Sequence, residues 1–269
     1  MLGPIIQKSL FCLNKGIPIS KLSQHLIRAQ GDVFPTVSRA IPALLTKGKN
    51  MTNKKKDKAH RLTKRDVEVV KFIAEQNCVR LDTVGLLLKV LKYRVEDRQL
   101  RKLAERWVRL GLIQKQKMLA DAPSILWATN EGLRIAEIAL HRGERTYAPS
   151  FATLHHNLAV ARVGVEYKKH GANWICERIL RDELGDGHLA DGLAEYGNQR
   201  ILVEVDRTLK EANRLQKIMI TNAKLPKIDL VDYWTTDKLL PTLETHRRAL
   251  LPNIQERIRI FPLPEEVNF

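Results

Sequence analysis

The apolar run Ile201-Leu202-Val203, closed by Glu204-Val205-Asp206, constrains this chain more than any other stretch. The run reads as a buried strand, and the two acids stand at its end. Thirteen residues before Glu204, Asp191 lies in a second strand-like stretch, His188–Tyr196, and Lys210 follows at the start of a helical pattern. An acid on one strand and a Glu-x-Asp on its neighbour would converge at one point of the sheet's end. Carboxylates crowded there repel one another and are costly to hold dry unless a divalent cation such as Mg²⁺ or Mn²⁺ neutralises them. Such a cation can generate hydroxide and offset the charge that develops on a phosphate. The bland alternative is that these acids merely edge an exposed strand. Two things decide between these: the order of elements around the triplet and the charge of the rest of the chain.

That charge is +16 over 269 residues, and it is unevenly placed. Residues 1–56 hold ten Lys/Arg against the single acid Asp32, residues 57–150 hold nineteen against twelve, and residues 151–269 hold seventeen of each. A basic half joined to a neutral, carboxylate-bearing half suggests one part that grips a polyanion and another that acts on it. No stretch approaches eighteen consecutive apolar residues, so no membrane insertion is expected. The three cysteines, Cys12, Cys78 and Cys176, lie far apart without a C-x-x-C. They argue against a zinc finger or a disulfide framework and favour a reducing, cytoplasmic setting.

Three parts follow from the pattern. Residues 1–60 are rich in Pro and Gly and end in a Lys-rich run, which reads as a basic, flexible arm that tracks phosphates; residues 1–50 have the look of an upstream extension that adds little to the fold. Residues 61–148 read as a winged helix-turn-helix. Thr63 and Asp66 form a capping-box pattern ahead of Val67, Val70, Ile73 and Ala74; Asp82 is placed to cap a second helix, and a third runs from about Val95 to Leu110 with Gly111 as its C-cap. Arg98, Arg101, Lys102, Arg106 and Arg109 make that third helix basic where this motif meets DNA. A hairpin, Leu112–Met118 with Ile125–Thr129, would be the wing, and Asn130 can start a further helix. Charge on a helix is also an ordinary solvated face, and winged helices also serve as protein-interaction modules.

Residues 149–269 read as a helix at His155–Lys169, strands at Trp174–Arg181, His188–Tyr196 and Arg200–Arg207, a helix at Leu209–Ala223 capped by Thr208, and a strand at Leu230–Thr236. The order is αβββαβ within an α/β (α+β) chain. The acids fall on the second and third strands, where the restriction-endonuclease-like PD-(D/E)xK nuclease fold keeps its metal ligands.

Taken together, Asp191-Gly192, Glu204-Val-Asp-Arg-Thr-Leu-Lys210, the His156-Asn-Leu-Ala-Val160 helix and the preceding winged helix resemble a known group. The chain looks like the replication-relaxation family and the related MOB-C class of MobC-type plasmid relaxases over about residues 60–240. The resemblance implies a metal-dependent DNA endonuclease, a relaxase, that cuts plasmid DNA at an origin of transfer or replication during mobilisation and conjugation. It implies plasmid DNA, a coupling protein and relaxosome accessory proteins as partners, and it admits a homodimer. Carried over, Asp191 and Glu204 hold the metal. Asp206 stands where the commonest motif has lysine, so either Lys210 swings back to the site or Asp206 serves as a third ligand or base. Glu166 on the first helix matches an acid that some members contribute, with Glu177 as its competitor. The departure at Asp206 leaves open a non-catalytic replication initiator or transcription regulator with an inert nuclease-like domain.

Other chemistries find less support. His155 and His156 are adjacent and no H-x-H occurs, against a histidine-metal relaxase with a nucleophilic tyrosine. His156 and His188 are each open to a structural or a site role. No Walker motif or G-x-G-x-x-G is present.

Overall fold

The computed structural model of the protein describes residues 62–118, 122–138, 148–184 and 190–264. The basic arm expected at 1–60 and His188 fall outside these residues. The described chain is mixed α/β, with a three-stranded and a five-stranded sheet. None of its helices is long and apolar enough to cross a membrane.

Helix α1 (Lys64–Glu75) begins at the capping box that its sequence encodes. The Thr63 amide donates to Asp66 at 2.8 Å and the Asp66 amide donates to the Thr63 hydroxyl at 3.2 Å, which satisfies two helix-end donors reciprocally. Short strand β1 (Val79–Arg80) leads into α2 (Leu81–Val90), and α3 (Asp97–Arg109) follows. Leu100, Ala104 and Trp107 form the buried stripe of α3, while Gly111 just beyond it takes φ +70°, the left-handed turn that ends the helix. Strands β2 (Ile113–Gln116) and β3 (Ile125–Ala128) form an antiparallel hairpin, and β1 pairs on the other side of β3. Helix α4 (Asn130–Ile135) is capped by the Thr129 hydroxyl.

Helix α5 (Phe151–Lys169) then joins the two sheets' surroundings into one core. Leu158, Ala159, Ala161 and Val165 make an apolar stripe along it. In the structure Leu154, Arg162, Val163, Gly164 and Tyr167 are buried as well, because α5 lies between α2 and the large sheet. A helix enclosed on more than one side must be apolar around most of its circumference. Val70 and Ile73 of α1, Leu87 and Leu88 of α2, and Val163 and Val165 of α5 share a single cluster with Ile201, Val203 and Val205.

The large sheet has the order β4 (Asn173–Cys176), β5 (Gly192–Tyr196), β6 (Gln199–Asp206), β7 (Leu230–Thr235) and β8 (Ile258–Pro262). The first three run antiparallel, and β6–β7 and β7–β8 are parallel. A parallel β6–β7 pair requires a crossover, which α7 (Ala212–Ala223) supplies. Helices α8 (Leu240–Arg248) and α9 (Pro252–Gln255) return the chain to β8. Leu202 with Leu215 and Met219 of α7 builds a second cluster on the face opposite α5.

Three expectations change. The expected first strand, Trp174–Arg181, stops at Cys176, and Glu177 opens helix α6 (Glu177–Leu184). The crossover helix starts at Ala212 with Glu211 as its cap, not at Leu209 with Thr208, because the Glu211 carboxylate accepts the Asn213 and Arg214 amides at 3.0 Å each. Asp82 sits inside the first turn of α2, whose N-cap is Arg80.

Candidate active site

The end of β6 is built by strict alternation. Ile201, Val203 and Val205 go to the α5 side, so Leu202, Glu204 and Asp206 go to the α7 side. Glu204 and Asp206 are 2 % and 5 % exposed, which is low enough that each must find protein donors. Glu204 Oε1 accepts from Asn222 Nδ2 of α7 at 2.8 Å, a bond buried from solvent. Asp206 Oδ1 pairs with the Lys210 ammonium, whereas Asp206 Oδ2 is buried with no hydrogen-bond partner among the described residues.

Asp191 stands immediately before β5. The ladder between β5 and β6 ends at Gly192 and Val203, and Asp191 lies one residue beyond it. Its carboxylate bridges two elements: Oδ2 accepts the Val205 amide of β6 at 2.6 Å, and Oδ1 lies 2.8 Å from His156 Nε2 of α5. Its carbonyl accepts the Glu177 amide at the start of α6 at 3.2 Å. Gly192 is required here by close approach, since a Cβ would come within 2.2 Å of the Trp174 ring. The ring cannot retreat easily, because it abuts Gly164 of α5 and stacks on Tyr167 with 5.6 Å between centroids.

The electrostatics gather on the same point. Burial pulls the Lys210 pKa down, but the charge and hydrogen bond of Asp206 and the charges of Glu204 and Asp191 outweigh it and raise the pKa above its ordinary value. Lys210 therefore stays an ammonium at neutral pH. Burial likewise pulls His156 down, yet the Asp191 bond and charge, with Glu177 and Asp206 behind them, hold its pKa raised. The buried Tyr233 phenol is pushed far up by burial first, and then by the charges of Glu204, Asp206 and Asp191.

Behind His156 and Asp191 lies a cavity of about 20 Å³, lined also by Glu75, Gln76, Asn77 and Glu177. Gln76, at the C-terminus of α1, is 4 % exposed, and its side-chain amide has no partner among the described residues. The space suffices for one water. Arg178 ties the two sides of the cavity together, donating to the Ala74 carbonyl at 2.6 Å and to Asn77 Oδ1 at 2.5 Å.

The structure thus brings Asp191, Glu204, Asp206 and Lys210 into one neighbourhood, with two corrections to their expected roles. Lys210 lies in the loop before α7 and reaches Asp206 from there, not from within the helix. The three carboxylates do not enclose one point. Each holds a protein donor, and among the described residues no three His, Cys, Asp or Glu side chains are spaced to surround an ion as they stand. The donor chemistry nevertheless fits a hard divalent cation: the ligands on offer are carboxylate oxygens, and one of them, Asp206 Oδ2, is buried without a donor.

Glu166 does not join them. It lies ten residues along α5 from His156, about 15 Å at 1.5 Å per residue, where Arg162 and Lys169 pair with it. Glu177, its competitor, is the acid beside Asp191, although its own carboxylate pairs with Arg181 at 2.7 Å. On α3, Arg98, Arg101, Lys102 and Arg109 are exposed. Arg106 is the exception, for it turns inward to Asp66 at 2.8 Å. Asn222 and Gln76 carried no signal in the sequence, since an isolated amide in a helical pattern looks like a surface residue.

Comparison of the chain with family models, with curated proteins and with solved structures gives no match.

Proposed function

We propose that the protein is a metal-dependent DNA relaxase, a nickase acting on supercoiled plasmid DNA at an origin of transfer or replication. The observation that carries this reading is that the charges of Asp206, Glu204 and Asp191 all act on Lys210 at the end of β6. Three helices, a first short strand between the first two, and a hairpin follow the order of a winged helix. An antiparallel β4-β5-β6 meander joined through α7 to a parallel β7 follows the order of the PD-(D/E)xK nucleases, with one helix, α6, inserted.

In this reading Asp191, Glu204 and Asp206 would hold Mg²⁺ or Mn²⁺, which when bound supplies an activated water and offsets phosphate charge. Asp191 presents a carboxylate whose direction is fixed by the Val205 amide. Lys210, protonated at neutral pH, offers a positive charge to the phosphate and steadies Asp206. The exposed Arg98, Arg101, Lys102 and Arg109 of α3 would meet DNA, with Lys115 and Lys117, which line a groove beside Arg101 that Asp82 and Asp97 also line, reaching toward its backbone. Relaxation of supercoiled origin plasmid in the presence of divalent metal tests the cutting step.

A second reading, a replication initiator or regulator with an inert nuclease-like half, is favoured by one observation: every carboxylate of the cluster already holds a protein donor. Both readings share the DNA-binding half. Arg101→Glu is expected to weaken binding of origin DNA by at least about tenfold, and the salt slope is expected to shrink by about one phosphate contact or more. The same reversal at Lys224 or Arg247 is expected to change little. Fluorescence anisotropy at several salt concentrations checks this. Equal losses at all three positions would mean that only net charge matters and would remove α3 from the interface.

A further inference from the structure

The terminal torsion of an aspartate is soft, so a carboxylate left alone samples a broad range of orientations. Asp191 is not left alone. The Val205 amide fixes Oδ2 from β6 at 2.6 Å, and His156 Nε2 fixes Oδ1 from α5 at 2.8 Å. These donors come from a strand and from a helix packed on it, so together they set the carboxylate plane. The Val205 donor is backbone and would be present with almost any side chain in the strand. His156 is the side chain chosen for the second contact, and the nitrogen at the tip of its ring is the one engaged.

We propose that His156 is a positioning residue for Asp191: it holds the carboxylate in the one orientation that serves a divalent cation, and it does not itself touch the DNA. The inference rests on the relaxase reading of the same cluster. Partners of this kind, one bond removed from a metal, change metal affinity by about 10- to 100-fold when removed. The contact is specific to the ring's far nitrogen. Gln places an amide nitrogen the same number of bonds from Cβ as that ring nitrogen, and so can donate to Asp191 in its place.

The test titrates Mn²⁺ into the full chain by calorimetry without DNA, for the parent, His156→Ala, His156→Gln and Asp191→Asn, and pairs each titration with turnover on supercoiled plasmid at saturating Mn²⁺. His156→Ala is expected to weaken Mn²⁺ binding about tenfold or more while saturating turnover stays within a few-fold of the parent. His156→Gln is expected to restore most of the affinity. Thermal unfolding of each variant shows that the fold persists, and the Gln variant serves if the Ala variant does not fold. Unchanged Mn²⁺ affinity in His156→Ala overturns the proposal. So does normal affinity with lost turnover in both variants, which would place the ring on the substrate. If the parent takes up no Mn²⁺ at all, the relaxase reading falls and the proposal with it. If the parent binds, Asp191→Asn does not and His156→Ala does, the proposal falls alone.

Discussion

Asp191→Asn is expected to abolish relaxation of supercoiled origin plasmid, lowering the rate about a thousandfold or more, while binding of the same DNA persists. The substitution removes a charge and little else. An amide oxygen can still accept from the Val205 amide, and the amide nitrogen can face His156 Nε2, which accepts when the ring carries its proton on Nδ1. Packing at Gly192 and Trp174 is untouched, and so is α3. On the relaxase reading what is lost is one anionic ligand, and a thousandfold change corresponds to about 4 kcal/mol of barrier. Alanine at Glu204 or Asp206 gives a less clean result, because it strands a partner, the buried Asn222 in one case and the half-buried Lys210 in the other. Single-turnover relaxation on agarose, alongside anisotropy on an origin duplex, separates cutting from binding. Relaxation at the parental rate would make the acids ornaments of a DNA-binding fold.

The largest effect on stability is expected at Asp66. Its side chain is fully buried, accepts from the Thr63 amide and hydroxyl at 2.8 Å each, from Arg106 at 2.8 Å and from the Trp107 indole at 2.9 Å. Asp66→Ala therefore deletes the carboxylate half of the α1 capping box, leaves the buried Trp107 indole N–H without its acceptor and takes a carboxylate from the half-buried Arg106. Stranding a buried donor costs about 1–3 kcal/mol and weakening a helix cap about 0.5–2 kcal/mol, together a large part of the roughly 5–15 kcal/mol that holds a domain. Burial pushes the Asp66 pKa up, but the Thr63 amide, the Trp107 indole, the Thr63 hydroxyl and Arg106 outweigh it, and the net shift is downward. A carboxylate with a depressed folded pKa gives stability that is fully present above its unfolded value, about 3.9, and is lost as pH falls through the folded value. Urea unfolding followed between pH 3 and 7 is expected to show parental stability dropping on the acid side. In Asp66→Ala the curve should start lower and lose part of that slope. A variant as stable as the parent at pH 7 would contradict this role for Asp66.

Asp66 also shows how far the sequence can be read. Its spacing from Thr63 marks a capping box, and that box is present. Nothing local says that the same carboxylate reaches Arg106 and Trp107, about forty residues on, so Arg106 read as one more DNA-facing arginine. The alternation of Ile201–Asp206 and the left-handed Gly111 were legible because they depend on neighbours in the chain. Cys176-Glu-Arg-Ile-Leu-Arg181 was not: a short run with two adjacent apolar residues fits a strand or a helix, and the Asp191 carbonyl that receives the Glu177 amide is fourteen residues away. The neighbourhood of Asp191, Glu204, Asp206 and Lys210 was foreseeable from strand order. The donors that hold each acid, Asn222, the Val205 amide and His156, depend on how α5 and α7 pack on opposite faces of the sheet. Glu166 was misplaced for the same reason, because its distance from the site is a matter of which end of α5 meets β5.

Incubating supercoiled plasmid that carries the origin with the full chain, in Mg²⁺ or Mn²⁺ and in EDTA, tests the proposed cutting centre most directly. Relaxed circles are expected with metal and none with EDTA, and protease treatment should leave their mobility unchanged, since the proposed hydrolysis makes no tyrosine–DNA bond. Plasmid that is bound yet stays supercoiled in every lane would contradict an active nuclease centre at Asp191, Glu204 and Asp206.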